Sequence, residues 1–157
     1  MVGSTTYDQK SYLYASDTLQ YMYMLYNNWL YKSSNFGESW TRVSTTKMSH
    51  VAVSGNGKYV IASAYSNGSN TLLVSTNYGT NFSKKSNVTI KSFEGASYLI
   101  NIGSINILNS GVVYCLTGCI GMSDGDYINN LVRTSVNSIS TKYNIVKEST
   151  YYGDPNV

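Results

Sequence analysis

The chain is poor in the residues from which most active sites are built. It has one histidine (His50), two arginines (Arg42 and Arg133), two cysteines and one proline among 157 residues, and only 12% of the residues are charged. A Ser-His-Asp or Cys-His nucleophile would have to use His50, and no nucleophile elbow accompanies it. Standing just before V-A-V, His50 reads instead as a half-buried residue at a strand start. Cys115 and Cys119 are too few for a disulfide framework or a four-ligand zinc site and read as small buried hydrophobes. A local bridge between them would require Gly118 to turn the chain. The formal net charge of +3 comes from scattered lysines with no basic stripe, which argues against nucleic-acid binding. No segment approaches the ~20 apolar residues that cross a bilayer. The opening M-V-G-S-T-T-Y-D-Q-K has no charged leader followed by an apolar run, so neither membrane insertion nor a signal peptide is expected. No cofactor is expected either. S-D-G-D-Y, Ser123 to Tyr127, has too few acidic positions for a calcium loop and reads as a polar turn.

What the chain has in quantity is tyrosine, sixteen of them, mixed with Ser, Thr, Asn and Gly. Tyrosine and threonine suit strands, whereas Asn, Gly and Ser suit the turns between them, so the composition predicts an all-β protein of many short strands. The length allows a single domain, residues 1–157.

The strands recur in copies. S-S-N-F-G-E-S-W begins at Ser33 and S-T-N-Y-G-T-N-F at Ser75, 42 residues later, a period typical of propellers and solenoids. The flanks match as well, Ser16 with Ser54 and Tyr21 with Tyr59. Each copy reads strand, tight turn, strand, loop, strand, box, strand, with a longer loop expected at Ser66 to Asn70 than at Asn27-Asn28. A third, degenerate copy has a hairpin at Asn109 to Gly111, and its L-V-R-T-S-V-N from Leu131 echoes L-L-V-S-T-N-Y from Leu72. Its box begins at Thr134, 59 residues after Ser75, so the unit carries an insertion, expected around residues 118–127. The units run roughly 8–46, 47–86 and 87–149. Within each box the side chains of Asn35 and Asn77 can accept backbone N–H bonds, while Gly37 and Gly79 supply a left-handed angle. Ser33 and Ser75 tie the turn from the other side, and Trp40 and Phe82 cover it. The box is read as a hairpin fastener.

These residues resemble the aspartate-box, or bacterial neuraminidase repeat, S-x-D-x-G-x-T-W. Ser33, Asn35, Gly37, Ser39 and Trp40 match with Asn for Asp. Ser75, Asn77, Gly79 and Phe82 match with Asn81 in place of the Ser or Thr. The phrase V-A-V-S-G-N-G-K-Y-V-I-A-S, with the box that follows, also resembles repeat proteins of large DNA viruses and phage tails. The resemblance covers residues 11 to 86 well and 97 to 147 poorly. It implies a propeller-like array of about three to four antiparallel blades, either incomplete or completed by other chains. It does not imply sialidase activity, because that chemistry grips its substrate with three arginines and this chain has two.

The expected function is therefore a non-enzymatic structural or assembly protein, a virion component in contact with other copies or with larger capsid or tail proteins. The alternative is a glycan-binding module that stacks sugars on Tyr26, Trp29 and Tyr31, and on Tyr65 by repeat equivalence. Unless the tyrosine-rich terminal segments Tyr7 to Tyr14 and Tyr143 to Tyr152 fold back over the end blades, at least one of them is expected to lie in a contact with another chain.

Overall fold

The computed structural model describes residues 11–66, 69–91, 97–99, 101–120, 127–139 and 143–151. Among these there is no helix, and the all-β expectation is met by fourteen strands. The first sheet holds β1 (Tyr12–Ala15), β2 (Met22–Tyr26), β3 (Trp29–Ser33) and β4 (Thr41–Arg42). The second holds β5 (His50–Val53), β6 (Val60–Ser66), β7 (Ser69–Ser75) and β8 (Ser83–Ser86). A two-stranded hairpin, β9 (Thr89–Lys91) with β10 (Ser97–Leu99), precedes the third sheet. That sheet holds β11 (Asn101–Ile107), β12 (Val112–Ile120), β13 (Tyr127–Ser135) and β14 (Tyr143–Tyr151). Each four-stranded sheet is an antiparallel meander in chain order, and among the described residues none closes on itself.

The turns follow from local chemistry. Asn27 and Asn28 have φ of 51° and 66°, and Tyr26 pairs with Trp29, so two left-handed residues make the tight hairpin whose twist matches that of its strands. The longer loop expected at Ser66 to Asn70 is instead a longer ladder. Tyr65 pairs with Asn70 and Ser66 with Ser69, because the extra residues can pair across the sheet. Part of the third unit's extra length is the β9–β10 hairpin, which lies before the third sheet and not in the expected insertion. Residues 121–126 of that insertion lie outside the described residues.

The register aligns the units. Met22 faces Ser33, Val60 faces Ser75 and Val113 faces Thr134, which places the degenerate third box where the other two stand. Neighbouring sheets pack face to face. Tyr23, Leu25 and Leu30 of the first sheet bury against Val51, Val60, Ala62 and Leu73 of the second. On the second sheet's other face, Ala52, Ile61, Leu72 and Val74 meet Ile102, Ile107, Val113, Cys115 and Val132 of the third. The middle sheet is thus buried on both faces, which is why V-I-A-S-A and L-L-V read as almost unbroken apolar runs. Each Val, Ile or Leu side chain among them contributes about 1.5–3 kcal/mol on full burial.

The outer edges of the first two sheets are guarded. β4 is two residues long, and β8 reads S-K-K-S with all four residues exposed, so short length and lysines discourage pairing with a further strand. The described parts of the terminal segments do not fold back over the ends. Tyr12–Ala15 pairs with β2 and Tyr143–Tyr151 with β13, because each supplies a strand to its own sheet. Residues 7–10 and 152 lie outside the described residues.

Cys115 and Cys119 both sit on β12, which runs unbroken through Gly118. Four residues of extended strand separate their Cα atoms by about 13 Å at roughly 3.3 Å per residue, beyond the ~7 Å that a disulfide spans. The conditional bridge is therefore ruled out on geometry.

Candidate functional site

The boxes are built alike from one serine and one asparagine. Ser33 Oγ donates to Asn35 Oδ1 at 2.9 Å and accepts the Gly37 N–H at 2.9 Å. Ser75 Oγ donates to Asn77 Oδ1 at 3.0 Å and accepts the Gly79 N–H at 2.9 Å. The asparagine oxygen then receives the N–H four residues on, from Ser39 in one box and Asn81 in the other, each at 3.1 Å. This explains how Asn81 replaces Ser or Thr, since the bond comes from the backbone. Gly37 and Gly79 have φ of 86° and 66°, as a turn of this kind demands. The preceding residues Phe36 and Tyr78 are left-handed too, at 60° and 59°. Trp40 Nε1 donates to the Gly37 carbonyl at 3.0 Å, whereas Phe82, with no donor, packs into the core between the first two sheets.

A second fastener joins each box to the first hairpin of its unit. The N–H of Phe36 reaches the Gln20 carbonyl, that of Tyr78 the Lys58 carbonyl, and that of Val136 the Gly111 carbonyl. The third box keeps this bond although it has lost the asparagine and glycine, because a backbone bond needs neither. The first hairpins also touch one another. Asp17 N–H donates to the Gly55 carbonyl and Asn56 N–H to Asn109 Oδ1, each at 2.7 Å. In the same joints Tyr21 lies against Gly57 and Tyr59 against Gly111, so close that an added β-carbon would come within 2.5 and 3.2 Å of the rings. Composition did not reveal this Tyr-over-Gly joint. The alignment of Tyr21 with Tyr59 was its only trace in the sequence.

Of the four aromatic candidates, three come together on the outer face of the first sheet. Tyr26 is opposite Trp29, and its ring meets Tyr31 edge-on at 6.5 Å. The Arg42 guanidinium lies 4.0 Å over the Trp29 ring, with its Nε donating to the Ser44 carbonyl at 3.0 Å, so one indole face is occupied. Tyr65 belongs to β6, and its side chain lies outside the described residues.

The remaining chemistry is sparse. His50 opens β5, half-buried as expected, and burial holds its imidazole below the ordinary value. Its neighbour Ser49 donates its hydroxyl proton to the Ser63 carbonyl at 3.0 Å, so at 3.1 Å His50 Nδ1 faces the hydroxyl oxygen as a donor. A general base would need to accept that proton. Cys115 is a free buried thiol pushed up to about 11 by burial. Among the described residues no cluster of His, Cys, Asp or Glu could hold a metal, and no helix is long and apolar enough to cross a membrane. Asp124 and Asp126 lie outside the described residues.

What stands out is the pair of end faces. On the first sheet Leu13 is opposite Met24, which is opposite Tyr31, with Tyr26 and Trp29 alongside. Leu13 is 59% exposed and Tyr26 42%. On the third sheet Leu116 and Val146 are exposed and Tyr114 is partly so. The chain matches no protein-family model, no curated protein and no solved structure.

Proposed function

We propose that the chain is a non-enzymatic structural protein, a propeller-like array of three blades whose end faces make protein–protein contacts in an exposed assembly such as a virion. The observation that carries this reading is the pair of end faces, where Leu13 and Tyr26 at one end and Tyr114 and Leu116 at the other are exposed although the facing sheets inside the stack bury their apolar residues. Exposed apolar side chains gathered on one face, rather than scattered singly, mark a site of association. The guarded edges of β4 and β8 disfavour strand pairing at two of the three outer edges. The two Asn boxes and the likeness to repeats of large DNA viruses support the blade architecture and the viral setting. The test is co-purification from the source particle. A chain that stays bound to particle proteins through washing supports the proposal, and one recovered free of every other chain, itself included, overturns it.

A second reading, glycan binding, is favoured by the exposed Tyr26 ring set edge-on to Tyr31. A glycan array would support it if reproducible hits were lost on Tyr26→Ala with folding retained.

A further inference from the structure

The two end faces are the missing halves of a joint that the chain already makes twice. The face of the second sheet that receives the first presents the row Val51, Ala62, Leu73. The face of the third sheet that receives the second presents Ile105, Cys115, Val132 at the same register positions. Ala62, Leu73, Cys115 and Val132 are buried there. In the first sheet this row is Leu13, Met24, Tyr31, with Leu13 exposed and Met24 and Tyr31 half-buried. The opposite faces correspond in the same way. Tyr23 and Ile61, both fully buried, point into the following sheet, and their counterpart Tyr114 on the third sheet is partly exposed between exposed Asn106 and Arg133, with exposed Leu116 beside it.

The corner of the joint carries a matching exchange. Inside the chain a tyrosine of one unit lies on a glycine of the next, Tyr21 on Gly57 and Tyr59 on Gly111. At the free ends the third unit has Val112 in the tyrosine position, and the first has Leu19 in the glycine position. Leu19 is held at φ 61° and is 55% exposed. A smaller residue meets a larger one, so the third unit of one chain and the first of another fill a corner that Tyr on Leu would overfill.

We infer that the occupant of each end face is a second copy of this chain, with the third sheet of one packed on the first sheet of the other. Such head-to-tail contacts give rings when the rotation closes. Propellers have about 4 to 8 blades, and two copies of this 157-residue array supply six. The assembly is a six-bladed ring of two chains. This rests on the array reading and names its partner.

Sedimentation equilibrium of the 157-residue chain tests it, with Leu13→Lys and Leu116→Lys as variants at exposed positions and circular dichroism to verify folding. The expected species has twice the 17.3 kDa chain mass. Each variant should weaken the dimer at least tenfold, about 1.4 kcal/mol. An equimolar mixture of the two should regain dimer, because one joint in the mixed pair carries neither substitution. A monomer at tens of micromolar (roughly the concentration that a 10 μM dissociation constant requires), an open series of larger oligomers, or a dimer indifferent to either variant would overturn the inference. A monomer still retained by a particle protein through Leu13 overturns only the second copy and leaves the assembly reading standing. One retained by nothing overturns both.

Discussion

The Tyr23 hydroxyl, in the first sheet, occupies the space that a β-carbon on Gly79, in the second, would need. The second box is thus pressed against its neighbour, and its glycine is required twice, once for a φ of 66° and once for room. Gly37 has only the first requirement, since its β-carbon would meet the Met22 sulfur at 3.4 Å and Trp40 at 3.8 Å, ordinary contacts.

Gly37→Ala should therefore cost about 1–3 kcal/mol of backbone strain, and Gly79→Ala should cost more. The Tyr23 hydroxyl is buried with no hydrogen-bond partner, and burial raises the phenol's pKa, so it stays neutral. Removing an unpaired buried hydroxyl is neutral or stabilising. Tyr23→Phe alone should leave the thermal midpoint unchanged or raise it, and in combination it should recover part of the Gly79→Ala loss. A double-mutant cycle by denaturant unfolding measures this coupling, and simple additivity would show that the two groups do not collide.

The boxes depend on an oxygen acceptor, not on an amide. Asn77 Oδ1 takes a hydroxyl and a backbone N–H, both of which a carboxylate accepts equally well. Asn77→Asp should be nearly silent in a thermal melt. Asn77→Leu leaves the Ser75 hydroxyl and the Asn81 N–H without their acceptor, at a cost of about 1–3 kcal/mol. Asn35→Asp loses one more bond, from Nδ2 to Ser39 Oγ, yet that hydroxyl can turn and donate instead. It too should be mild.

How much of this was legible follows from the range of each interaction. The boxes and hairpins are local, so Ser33, Asn35 and Gly37 announced them in the order in which they bond. The third box was obscure because what it keeps, the Val136 N–H on the Gly111 carbonyl, is carried by backbone and leaves no mark on residue type. The β9–β10 hairpin was missed because its strands, T-I-K and S-Y-L, are only three residues long and have no counterpart in the other two units. Trp29 looked like an open platform in sequence. Only the pairing of β3 with β4, which brings Arg42 beside it, reveals the guanidinium on its face. The end faces were foreseen as surfaces but not as residues, since Leu13 and Leu116 are as apolar as the buried positions they mirror.

Stability should fall in mild acid through His50. Burial lowers its pKa in the folded protein below the ordinary 6.5, so the unfolded chain takes up the proton first as pH drops. Stability that is fully present above pH 6.5 is lost as pH falls through the folded value. Thermal midpoints recorded between about pH 7.5 and pH 5 should decline, and less steeply in His50→Gln, which cannot titrate. Equal slopes in the two proteins would exclude His50 as the cause.

Cys115 offers a reporter on the joint between the second and third sheets. Its thiol lies in the core they share, 3% exposed and with a pKa pushed up to about 11, so at pH 8 it is both shielded and protonated. The thiolate is the reactive form, and a group in this state reacts only when the sheets part. In a Cys119→Ser background, the native protein should resist a thiol reagent such as DTNB over hours and react fully once denatured. If sheet faces separate only when the whole chain unfolds, the labelling rate under native conditions should follow global stability, and a destabilising Gly79→Ala should speed it in proportion. Labelling that ignores Gly79→Ala would instead mean that the third sheet opens on its own. Rapid labelling of the folded protein would place Cys115 outside the core altogether.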